Sequence, residues 1–254
     1  MIKVRRYISF LTLQIRLYKK MLGFLFVALA ISQLGIIIWK LLSVKKLSVN
    51  YYIRNIPYFY NEILDQNHLG TIFLVGIVLV GAAILYGYAQ IDREFYHIPI
   101  RFSEQVVLQF IFLCIVLFSL WMYELFILII GAGLYRAILP SNMLEPDMIV
   151  NTWAQSSFLR RCYPITNLPR MIDVIVLIIT LAFGLACQWK DQLRRHNSLI
   201  NMIISVLSIL YYRVSKVMFG NQYSLVPACV GFIATMVTFE VITSWYYRRE
   251  ERSR

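Results

Sequence analysis

No Gly-Lys pair occurs among the 11 glycines of this chain, so it carries no phosphate-binding P-loop. HExxH and GxSxG are equally absent, which removes the signatures of zinc proteases and of the common serine hydrolases. The 4 cysteines never form CxxC and stand beside no histidine at metal-ligand spacing, so neither a disulfide framework nor a zinc site is indicated. Cys114, Cys187 and Cys229 fall in apolar stretches, where a small buried side chain is the plain reading, and Cys162 stands alone in a polar loop. The 3 histidines (His68, His97 and His196) lie in loops without an acidic or cysteine partner at fixed spacing. No catalytic set, cofactor site or metal site is therefore expected in the chain.

Charge is scarce as well. Only 15% of the residues are charged, against about 25% in an ordinary soluble domain. Hydrophobic residues make up 59%, and the mean hydropathy is +0.65. A soluble domain of 254 residues buries a core, but it cannot hide this much apolar surface, so lipid must cover the remainder. The net charge of +12 is compatible with nucleic acid in amount but not in placement, because the basic residues flank apolar runs. Membrane lipids, and no nucleic acid, are the expected partners. The expected fold class is all-α: a polytopic membrane protein forming one transmembrane domain over residues 1–254.

A helix needs about 20 apolar residues to cross the hydrocarbon core. Stretches near 21–39, 69–90, 171–189, 199–219 and 224–247 meet this requirement directly or nearly. A sixth, 106–138, is too long for one upright helix and too short for two with a turn. Gly131 and Gly133 lie near its end, so one long helix and a span plus a re-entrant piece both remain open. Orientation decides the count. With six spans and both termini cytoplasmic, the clusters at Lys3–Lys20, Arg93–Arg101, Lys190–Arg195 and Arg248–Arg254 all lie inside. Two spans within 106–138 would place the last two clusters opposite the first. Residues 1–20 set Ile8, Phe10, Leu13 and Leu17 against Arg5, Arg6, Arg16 and Lys19. This pattern suits an amphipathic helix along the inner surface, or equally a basic extension of the first span. The apolar run after it has no small-residue cleavage site and reads as a retained span. The two exterior loops, 41–68 and 140–170, keep their aromatics and are expected to form short interfacial helices.

Charges inside spans are costly and therefore informative. Glu124 and Glu240 are the candidates for an intramembrane polar site. For Glu124, two readings stand: a polar point on a substrate route or between subunits, or a position where the long helix leaves the membrane. Arg136 is the nearest cation beyond it in sequence.

The loop between the second and third spans reads Gln90-Ile91-Asp92-Arg93-Glu94-Phe95-Tyr96-His97-Ile98-Pro99-Ile100-Arg101-Phe102-Ser103-Glu104-Gln105. Charged residues come first, then an apolar-Pro-apolar element, then Ser103 and Glu104 as a helix start. In Arg93-Glu94 and in Ile98-Pro99-Ile100 with Ser103-Glu104, this loop resembles the coupling loop of type-2 ABC exporter permeases. Length, span count, inside termini and a basic amphipathic N-terminus fit the same family. The resemblance implies that Asp92, Arg93, Glu94, Pro99, Arg101 and Ser103 dock on a separate ABC ATPase subunit, which would hold ATP and magnesium. It also implies a second permease chain, identical or related, and a bacterial inner or plasma membrane as the location. The spacing between Glu94 and Pro99 is shorter than usual in that family, and the long exterior loop precedes the fourth span rather than the sixth. A non-transporting anchor or scaffold subunit explains the spans as well. An intramembrane enzyme rests only on Glu124, Cys162 and the histidines.

Overall fold

The computed structural model describes residues 2–45, 59–66, 68–90, 102–139, 148–165 and 167–193, and every regular element among them is an α-helix. In chain order these are α1 (Ile2–Lys45), α2 (Phe59–Gln66), α3 (Leu69–Gln90), α4 (Phe102–Ile138), α5 (Met148–Gln155), α6 (Ser157–Cys162) and α7 (Leu168–Leu193). The stretches expected as spans at 199–219 and 224–247 lie outside the described residues.

Three helices are long and apolar enough to cross a membrane, over Arg5–Ser43, Leu69–Gly87 and Glu104–Ile138, and they mark the chain as an integral membrane protein. The 22 residues of α3 rise about 33 Å, close to the ~30 Å hydrocarbon thickness. Its Leu74, Val75, Val78 and Leu79 are exposed, an apolar face of the kind that suits lipid. With 44 residues and a rise of about 66 Å, α1 is far longer than one crossing. It is helical without a break, so the basic N-terminal segment continues helically into the first span. Equally unbroken is α4, with 37 residues rising about 55 Å, so the ambiguous stretch 106–138 is one helix. Its exposed residues Val107, Ile111, Ile115, Met122, Phe126 and Ile129 form an apolar stripe at helical spacing. Helix α7 covers the stretch expected as the fourth span, but its apolar part, Val174–Trp189, is shorter than those of the other three. It begins at Leu168, before the expected Met171, because Pro169 is tolerated in a first turn whose N–H groups need no intrahelical partner.

The described residues of Met1–Gln14, Gly87–Ile115 and Asn167–Arg254 gather in one compact unit, and those of Ile15–Tyr86 and Val116–Thr166 in another. In the first, Phe10 packs edge-on against Trp189 and Phe110 against Phe183, over a core that includes Leu113, Ala182 and Ala186. In the second, α1, α3 and α4 pack with the three short helices α2, α5 and α6, which also touch one another. The short helices are those expected in the two exterior loops. Their contact requires both loops to lie on one side of the membrane. One crossing by α3 and one by α4, the two helices between the loops, meet that requirement.

Candidate functional site

Every fourth residue of α1 in the second unit faces inward: Leu29, Gln33, Ile37 and Leu41 are all buried. The facing side of α4 buries Leu120, Glu124, Ile127 and Leu128. Each helix thus places one polar side chain in an otherwise apolar contact. Gln33 and Glu124 are both fully buried, and they meet. The Gln33 carboxamide Nε2 donates to both Glu124 oxygens, at 2.9 Å each. The Gln33 Oε1 is buried without a hydrogen-bond partner. Phe26 of α1 stacks on Tyr123 of α4 beside the pair, with centroids 5.1 Å apart and planes 18° apart. Arg136, the nearest cation in sequence, is exposed three turns further along α4 and forms no ion pair with Glu124. The apolar exposed stripe of α4 continues past Glu124 to Phe126 and Ile129, so the carboxyl lies inside the apolar length of the helix, on its protein-facing side.

Above this pair, a cap of short helices is held by directional bonds. Asp65 near the end of α2 accepts from the Ser156 hydroxyl at 2.9 Å, the Ser157 N–H at 2.9 Å and the Phe158 N–H at 3.2 Å. Ser156 is extended (φ −60°, ψ 123°) and its hydroxyl oxygen accepts from the Leu159 N–H, the usual N-cap arrangement. Tyr163, closing α6, donates its hydroxyl to the Trp121 carbonyl of α4 at 2.6 Å and stacks on the Trp121 ring at 5.2 Å. In return the Trp121 indole donates to the Cys162 carbonyl at 3.0 Å, and Trp153 donates to the Tyr163 carbonyl at 2.9 Å. Tyr60 of α2 donates to the Leu128 carbonyl at 2.7 Å. That contact needs Gly131, because a Cβ there would lie 2.7 Å from the Tyr60 hydroxyl and 2.8 Å from Ile37. An apolar cavity of about 50 Å³ lies beneath, lined among others by Tyr60, Leu64, Leu128, Thr152, Trp153 and Leu159. Burial pushes the Cys162 thiol up to about 12, the Glu124 carboxyl beside it adding to the effect and Arg161 opposing it. Burial likewise raises the Tyr163 phenol.

Of the residues expected to form the coupling loop, Asp92, Arg93, Glu94, Pro99 and Arg101 lie outside the described residues, as does Glu240. Ser103 lies in the first turn of α4, whose first residue is Phe102, with Glu104 in the same turn. Glu124 and Gln33 come together from positions 91 residues apart. Gln33 escaped the sequence reading although its signal was present: it is an amide in the middle of the apolar run 21–39. Asp65, Ser156 and Tyr163 gave no such signal, since loop acids and hydroxyls are ordinary. Among the described residues, no cluster of three or more His, Cys, Asp or Glu side chains is placed to hold a metal ion. No protein-family model, curated protein or solved structure matches the chain.

Proposed function

We propose that this chain is the membrane-spanning permease subunit of an ATP-driven ABC-type exporter, with six spans, both termini in the cytoplasm and a bacterial inner or plasma membrane as its location. The observation that carries this reading is the loop 91–101, which joins two span-length helices, α3 and α4. It contains Arg93-Glu94 and Ile98-Pro99-Ile100. A segment so short between two spans is a mechanical part, because a partner that grips it moves both helices together. Asp92, Arg93, Glu94, Pro99, Arg101 and Ser103 form the docking surface for a separate ATPase subunit, which supplies ATP and magnesium. A second permease chain completes the path, and alternating access follows when ATP-driven closure rocks each loop with its spans. The cap supports the crossing count up to α4, because loops 41–68 and 140–170 meet.

Co-purification tests this reading. The full chain, expressed with its neighbouring genes, is expected to retain an ABC ATPase that Glu94→Lys and Pro99→Asp each release. If wild type retains no ATPase, the permease reading falls and a non-transporting anchor or scaffold takes its place.

A further inference from the structure

A carboxylate offers about four acceptor sites, and an amide NH₂ group offers two donors. In the Glu124–Gln33 pair, one nitrogen serves both carboxyl oxygens while the amide's own oxygen goes unused in a fully buried place. No lysine or arginine among the described residues pairs with the carboxyl. Among the described residues, the charged form therefore leaves two things uncompensated: a negative charge inside the apolar length of α4, and an orphan acceptor on α1. A buried orphan acceptor is destabilising, and a buried unpaired charge is more so.

One proton removes both faults once the Gln33 amide turns so that its Oε1 faces the carboxyl. When it binds a Glu124 oxygen, the pair becomes a neutral carboxylic acid facing a carboxamide. The acid O–H then donates to Gln33 Oε1, and the other carboxyl oxygen accepts from Nε2. These are two antiparallel hydrogen bonds, with every polar atom of the contact used. The step is carboxylate plus proton to carboxylic acid; no other bond changes, and the proton comes from water. We propose that Glu124 and Gln33 form an exchangeable proton-binding site between α1 and α4, the proton lying between a Glu124 oxygen and Gln33 Oε1.

Among the described residues, the neutral Gln33 faces the carboxyl from α1, and from the segment after α5 come the Cys162 thiol and the Tyr163 phenol. The Tyr163 hydroxyl is committed to the Trp121 carbonyl at 2.6 Å, and Arg161 beside Cys162 is exposed. The site does not depend on the permease reading, and its test needs no ATPase.

The test is infrared spectroscopy of the full chain in lipid, titrated across pH in H₂O and in D₂O. The expected result is one carboxylic-acid C=O band that gives way to a carboxylate band as pH rises. Glu124→Gln should remove that band, and Gln33→Leu should shift its frequency, since the acid loses its amide partner. Glu124→Gln keeps the shape and neutrality of the acid, so it folds if the neutral pair is native; circular dichroism verifies this. A titration with no band lost in Glu124→Gln overturns the proposal, as does a Glu124 band that Gln33→Leu leaves in place.

Discussion

Two regions of the second unit solve the same problem, helix against helix, with different chemistry. Where α1 and α4 meet, apolar side chains do the packing and one polar pair interrupts them. In the cap, six residues (Asp65, Ser156, Tyr163, Trp121, Trp153 and Tyr60) place their hydrogen bonds at defined angles between elements. The difference follows from the solvent. In lipid there is no hydrophobic drive between helices, so close packing decides, and few polar groups are tolerated. The short helices cannot bury enough apolar area to fix their positions, and bonds must specify them. α2 and α5 have 8 residues each and α6 only 6, too short to be stable alone.

The comparison breaks most visibly on exposed positions. Val78, 68% exposed on α3, should not tolerate Asp: lipid exposure predicts a loss of about 3 kcal/mol in insertion, read as the fraction of chain resisting alkaline extraction. Arg160, equally open but on the cap, should accept Asp within about 0.5 kcal/mol. If both substitutions are silent, the face of α3 is not in lipid. Next in size is Asp65→Ala. It removes three bonds at once and should cost about 2–3 kcal/mol, measured by thermal unfolding followed through Trp121 and Trp153 fluorescence. Gly131→Ala should cost about 2 kcal/mol, because the added methyl drives Tyr60 off the Leu128 carbonyl. Tyr60→Phe in the same chain should relieve only part of the loss, because Ile37 still meets the methyl. Tyr163→Phe keeps the stack on Trp121 but loses its bond, a change of about 1 kcal/mol in the same assay.

The last effect concerns pH. The folded chain holds the Cys162 proton up to about 12, whereas an unfolded thiol releases it near about 8.5. Between those values the folded state binds more protons than the unfolded one, so stability should fall as pH rises through that window. Cys162→Ser should flatten that slope, and a thiol-alkylating reagent at pH 9 should leave native Cys162 unmodified. Rapid alkylation of the native chain would contradict its burial beside Glu124.

Much of the fold was legible because apolar runs end abruptly. The expected stretch 69–90 coincides with α3, since His68 and Gln90 bound a run with no internal charge. Short helices form within the stretches 41–68 and 140–170, as α2, α5 and α6. In the stretch 106–138, Gly131 and Gly133 suggested a break, yet the helix continues, and Gly131 serves a close approach by Tyr60 and Ile37. Glycine reports that space or freedom is needed, without saying which. Glu124 stood out by its charge, but its partner did not, because the sequence directed attention to cations and the structure supplies an amide. Pairing across 91 residues depends on how helices dock, and local pattern does not encode it.

The Asp65 clamp also sets an order of events during synthesis. Its partner Ser156 lies 91 residues later, beyond two span-length helices. At about 5–20 residues per second, Asp65 waits roughly 5–20 s on the membrane surface before its donors are made. Throughout that interval α2 lacks the Asp65 bonds, and a chain in which just one of α3 and α4 had crossed would hold Ser156 on the opposite side. The clamp therefore closes only after both helices have been made, and its three bonds form late in the life of the growing chain.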